Sequence, residues 1–178
     1  FPANSEDDDI LIYDSEDRES VRARIPCLRQ QGAKSGALAN LCLSDFLAPK
    51  GTPDWVGGFC VTAGNGVAEK SAAFEANNDD YQSILLKAVA DRLAEAAAEW
   101  LHQMVRTDLW GTSPDERLEN EALVAEKYSG IRPAPGYPAC PDHTTKLALF
   151  SLIDATKHTG VQLTESMAML PAASVSGW

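Results

Sequence analysis

"DDYQSILLKAVADRLAEAAAEWLHQMVR", residues 79–106, carries the strongest periodic signal in the chain. Leu86, Ala90, Leu93, Ala97, Leu101 and Met104 recur at three- and four-residue steps, the spacing of one face of an α-helix. Asp79 and Asp80 stand where the positive helix N-terminus favours acids, and Arg106 where the C-terminus favours a base. The spacing predicts one long amphipathic helix with those apolar residues turned to the core. Its polar flank sets Lys87, Asp91, Glu95 and Glu99 four apart, with His102 one turn beyond. The simplest use of such a stripe is a solvated face.

Upstream of this helix the pattern changes to short strands. Ile10-Leu11-Ile12-Tyr13 lies amid the acids that crowd positions 6–19, which predicts a strand near 9–13 in charged, solvated surroundings. Pro26, Pro49 and Pro53 interrupt any long helix after this strand, and "DWVGGFCVTAG" (54–64) predicts a strand over about 55–62. The next residues, "GNGVAEK", superficially match a dinucleotide-binding turn. Its third small position falls on Glu69, whose carboxylate would oppose a pyrophosphate, so the stretch reads as a glycine-rich helix start.

Downstream, "SPDERLENEALVAEKY" predicts a helix starting near Ser113 with Pro114 in its first turn. Another is predicted over 143–158, stopped by Gly160, and "VQLTESMAML" (161–170) reads as a final strand. Strands, then helices, then a strand give an α+β fold: a twisted antiparallel sheet with several helices, including the long one.

Composition narrows the function classes. The chain has 178 residues, enough for one sizeable core. A net charge of −11 opposes nucleic acid and anionic membrane as partners. No apolar run approaches the roughly 18 residues of a membrane span, and the acidic opening lacks the signature of a secretory leader, which points to the cytoplasm. Cys27, Cys42, Cys60 and Cys140 are scattered singly, as reduced thiols are. "CPDH" sets Cys140 and His143 three apart, but no second ligand pair accompanies them, so no metal site is assigned.

"IRPAPGYPACPDHTTK" (131–146) lies between the two downstream helices. Its four prolines exclude a helix or a central strand and predict a stiff, ribbon-like loop from which Arg132, Ala134, Tyr137 and Cys140 project. Such a backbone loses little entropy when a ligand docks.

"GIRPAPGYPACPDHT", together with "FPANS" (1–5), "LRQQ" (28–31), "DDYQSILLKAVADRLAEAAAEWLH" (79–102) and "LTESMAMLPAASVSG" (163–177), resembles the C-terminal activation module of cobalamin-dependent methionine synthase. The similarity spans essentially the whole chain in the family's order. The resemblance implies a module that binds S-adenosylmethionine and supports reductive methylation of cob(II)alamin, with flavodoxin or a diflavin reductase supplying the electron. Cobalamin itself would be held by the cobalamin-binding module of the same enzyme. No catalytic residue is expected in this chain, because the nucleophile is the corrin cobalt.

Residue by residue, the resemblance assigns Arg132 to the carboxylate of S-adenosylmethionine and Tyr137 to its nucleoside. It assigns Gly136 to close backbone approach, and Ala134 and Ala139 to the walls. Asp91 and Glu95 become docking residues toward the cobalamin module, with Glu126 as a further one. Family members often carry glutamate where Thr145 stands, which removes a reciprocal cap from the helix beginning there. They also extend beyond both ends of these residues, so residues 1–178 are expected to form a single, partial activation domain. The alternative is a fragment without cofactor binding that serves as a protein-interaction surface.

Overall fold

The computed structural model describes residues 1–34 and 38–178. Pro2–Glu6 (β1) and Asp9–Tyr13 (β2) pair antiparallel, with Ala3 opposite Ile12. Val21–Pro26 (β3) adds to β2 and Asp54–Trp55 (β4) to β1, in the order β3-β2-β1-β4. The strand predicted at 9–13 is therefore internal. Ile10, Leu11, Ile12 and Tyr13 are all buried, which corrects the expectation of a solvated strand.

The acids around β2 are partnered instead. Glu6 and Asp9 pair with Arg24, and Arg29 bridges Asp8 and Asp45. Arg18 reaches back to donate to the Ala3 and Asp54 carbonyls, and its guanidinium lies 5.2 Å from the Trp55 ring centroid. These pairs are largely exposed and contribute little stability each; their role is to let a charge-rich hairpin flank a buried strand.

Two compact units divide the chain: Phe1–Phe59 with Pro133–His158 and Ser176–Trp178, and Cys60–Arg132 with Thr159–Val175. In the first unit, Ile10, Ile12 and Ile25 of the sheet pack with Leu43, Val56, Leu149, Leu152 and Trp178. Leu149 and Leu152 belong to Thr145–Leu152 (α4). The strand predicted over 55–62 is two strands, β4 and Phe59–Thr62 (β5), parted at Gly57 and Gly58. Gly58 permits the close passage, since a Cβ there would lie 2.7 Å from Leu149 Cδ1.

The helix predicted over 143–158 is also broken. It is α4 followed by Ala155–Thr159 (α5), with Asp154 left-handed at φ 49° between them. Gly160, at φ 77°, is the stop that the sequence indicates. The start of α4 is hydrogen-bonded without a glutamate at 145. Asp142 accepts from the Thr144 amide at 2.8 Å and from its hydroxyl at 2.7 Å, while Thr145 is buried with its hydroxyl on the Asp142 carbonyl.

In the second unit, Val67–Ala76 (α1) and Asp80–Met104 (α2) form a helical pair. Glu75 Oε1 accepts from Ser71, Ser83 and Lys87, and these bonds hold its carboxyl at about 2, well below the usual range. Asp79 caps α2 by accepting from the Gln82 amide. A π-helical turn, Val105–Leu109, continues it.

The predicted helix is present, and its predicted face is inward except at Leu93: Ala90 is buried and Leu86, Ala97, Leu101 and Met104 are half-buried. Ser83, Ala90, Ala94 and Ala98 are buried, whereas Leu93 is 56% exposed, in a row with Tyr81, Leu85 and Val89. The fully buried positions of this helix all carry small side chains. Near Ser113 the expected helix is absent and only Asn120–Val124 (α3) is helical. Ser113 donates its amide to the Arg106 carbonyl at 2.8 Å, so this segment is tied to the end of α2 as turns. The predicted final strand is a hairpin, Gln162–Leu163 (β6) with Met169–Leu170 (β7), followed by Ser174–Gly177 (β8), which pairs with β5. Antiparallel strand pairs and five helices among the described residues make this the α+β fold expected.

Candidate functional site

The proline loop is not a ribbon. Tyr137 N donates to Ala134 O at 3.0 Å, Cys140 N to Tyr137 O at 2.9 Å and Gly136 N to Cys140 O at 2.8 Å, so residues 134–140 close on themselves in consecutive turns. Prolines that deny a helix also suit tight turns, and here the turns prevail over extension.

Gly136 supplies the positive φ, +105°, that one of these turns requires. It lies directly over an imidazole, for a Cβ at this position would be 2.5 Å from His143 Cε1. Pro135 and Cys140 are buried, Ala134 and Ala139 half-buried, and Tyr137 is 61% exposed. Cys140 Sγ lies 3.6 Å from Thr145 Oγ1, and burial pushes its thiol up. The loop's entry is fixed by the Trp178 amide, which donates to Pro133 O at 3.0 Å. Gly177 permits this, since a Cβ there would sit 2.7 Å from the same oxygen.

Arg132 ends the long segment of the second unit. Its Nη2 donates to Glu99 Oε2 at 2.8 Å, with the two side chains 18% and 28% exposed. Behind this pair lies a polar network. Arg106 donates from Nε and Nη2 to Glu116, and its guanidinium carbon stands 4.2 Å from the Tyr128 ring centroid. The His102 ring meets the same tyrosine edge-on, with centroids 4.9 Å apart.

Burial, reinforced by Arg106 and Arg132, lowers His102 to about 4, so the imidazole is neutral at physiological pH. The Glu116 carboxyl is held down by Arg106, whereas burial and the nearby Glu99 charge raise the Tyr128 phenol.

The helix stripe read from spacing thus divides. Lys87 pairs with Glu75, Glu99 with Arg132, and His102 packs on Tyr128, leaving Asp91 and Glu95 exposed and without an ion pair among the described residues. Glu126 is exposed too, in the left-handed region at φ 52°, where it closes the end of α3 as Lys127 N donates to Ala122 O. Sequence reasoning placed Arg106 only as a helix-end charge and His143 only beside Cys140, and it passed over Glu116 and Tyr128. The signal available for them was weak: single polar residues in segments with no periodic pattern, and a histidine two places after a proline.

Among the described residues no helix is long and apolar enough to cross a membrane. A solved structure described as the MetH reactivation domain bound to AdoHcy matches this chain at 55% sequence identity with a TM-score of 0.95. The match covers 100% of this chain and 55% of that one, so the chain spans about half of the relative's length. The family model for the activation domain of vitamin B12-dependent methionine synthase matches residues 1–178. The chain belongs to the vitamin B12-dependent methionine synthase activation domain family.

Proposed function

We propose that this chain, as part of one activation module, binds S-adenosylmethionine and holds it for methyl transfer to a cobalamin carried by another module of the same enzyme. The observation that supports this most is the 55% identity, over the whole chain, to a reactivation domain bound to AdoHcy. AdoHcy is what S-adenosylmethionine becomes on losing its methyl group. When bound, S-adenosylmethionine supplies a methyl on a sulfonium. The overall change would be reductive methylation of cob(II)alamin, with the electron from flavodoxin or a diflavin reductase, in the cytoplasm.

The residues present suit such a ligand. A guanidinium has five N–H donors and Glu99 takes one of Arg132's, which leaves donors for a carboxylate. Tyr137 presents an exposed ring and hydroxyl to a nucleoside, and the side-chain-free Gly136 and small Ala134 and Ala139 let a ligand approach the loop backbone. Asp91, Glu95 and Glu126 are exposed acids suited to docking on the cobalamin module or to polarising the region near the sulfonium.

NMR titration, which reads affinities into the millimolar range, tests the reading. S-adenosylmethionine and S-adenosylhomocysteine should perturb the 133–140 amides, and NADH should not. A folded chain whose spectrum ignores both adenosyl ligands overturns it.

A further inference from the structure

We propose that Glu99 is a positioning residue that sets the plane of the Arg132 guanidinium for a ligand carboxylate; this rests on the reading of Arg132 as the carboxylate receptor. Glu99 projects from α2, a 25-residue helix, and its Oε2 takes Arg132 Nη2 at 2.8 Å. Arg132 adjoins the turn-rich loop, and the Glu99 bond is the side-chain hydrogen bond that orients its guanidinium among the described residues. Bidentate recognition of a carboxylate depends on the orientation of the guanidinium, so fixing that orientation in advance removes an entropic cost from binding.

A second observation places the pair in a built setting. Glu99 Oε1, His102 Nδ1, Arg106 Nη1 and Arg132 Nε are all buried polar atoms without a hydrogen-bond partner among the described residues, and they gather in this one network. Buried polar atoms of this kind call for a partner, and a ligand group or a bridging water would supply it. Tyr128 spans the network, meeting Arg106 through its ring face and His102 edge-on. His102 stays neutral between two guanidiniums and adds no further positive charge against Arg132. The negative charge of Glu99 does offset part of the attraction Arg132 exerts on an anion. Both groups are partly solvated, which weakens that offset, whereas the hydrogen bond that fixes the guanidinium is lost when the acceptor goes.

The experiment compares Glu99→Ala, Glu99→Gln and Arg132→Ala in the 178-residue chain, using NMR titration with two probes. S-adenosylhomocysteine carries the carboxylate, and 5′-methylthioadenosine shares the thionucleoside but lacks the amino-acid end. Alanine keeps the helix, and the glutamine amide oxygen still accepts from Arg132. Glu99→Ala is expected to weaken S-adenosylhomocysteine about tenfold and Glu99→Gln less than about threefold, with 5′-methylthioadenosine unchanged in both. Equal weakening of both probes, no weakening by Glu99→Ala, or tighter binding in Glu99→Gln overturns the positioning role. If Arg132→Ala itself leaves S-adenosylhomocysteine affinity unchanged, the carboxylate reading fails first and the proposal falls with it.

Discussion

Arg106 and Glu116 form a bidentate pair with side chains only 3% and 7% exposed, closed by donors at 2.6–3.2 Å. The pair joins the π-helical end of α2 to a segment that carries no helix of its own. Removing one partner would leave the other charge buried and uncompensated. Glu116→Ala should therefore cost about 3–5 kcal/mol in urea denaturation, whereas a double Arg106→Met, Glu116→Leu variant should recover much of that loss. A loss below about 1 kcal/mol in the single variant would mean that water reaches the guanidinium.

His102 gives stability a pH dependence of definite sign. Its value is 6.5 in the unfolded chain and about 4 in the native one, so between these the unfolded state binds more protons. The His102 contribution is complete above pH 6.5 and declines as the pH falls toward 4. Glu116, held down by Arg106, adds a loss of the same sign once its ordinary carboxylate range is reached. Urea midpoints over this range should fall less steeply in His102→Gln than in the parent. An unchanged slope would assign the whole acid effect to the carboxylates.

Gly136 and Gly130 separate backbone strain from collision. Both have positive φ, +105° and +94°, but a Cβ at 136 meets His143 and one at 130 meets nothing within 4 Å. Gly130→Ala should cost about 1–2 kcal/mol of backbone strain alone. Gly136→Ala should cost more and displace the His143 ring, visible as a shift of its imidazole carbon-bound proton signals. Equal costs with an unmoved ring would show that the imidazole yields freely.

The exposed acids should be dispensable for folding. Asp91→Asn with Glu95→Gln should change stability by less than about 0.5 kcal/mol, as surface positions without partners do. Glu126→Gly should be neutral or stabilising by up to about 1 kcal/mol, because glycine adopts φ 52° without strain. On the proposed role, the same variants in the complete enzyme should slow cobalamin reactivation while thermal melting is unaffected. Unfolding instead would make these residues structural.

Much of the fold was legible because periodicity is a local property. Asp9–Tyr13 and the helix from Asp80 follow from apolar spacing and a capping acid. What spacing could not reveal is which side of a helix its neighbours choose. Leu93 and Ala94 are adjacent, and only packing turns the alanine inward. Asp154 breaks a helix by taking φ 49°, a state open to aspartate but not announced by it. In the candidate site, the proline loop and Arg132 stood out by composition and resemblance. The partner of Arg132, 33 residues earlier, was grouped by spacing with Asp91 and Glu95, because a helical stripe records who shares a face and not who is met across space.

The discontinuous division of the chain bears on how it is made. One unit waits for Ser176–Trp178 and the other for Thr159–Val175, so during synthesis neither has all its segments until nearly the last of these residues emerges. Ile10 and Ile12 must find Leu149 and Trp178 across most of the sequence. Contacts of such separation close slowly. The apolar β2 hairpin therefore stands exposed while the residues between it and Leu149 are being made, and chaperone demand should fall on that stage of synthesis.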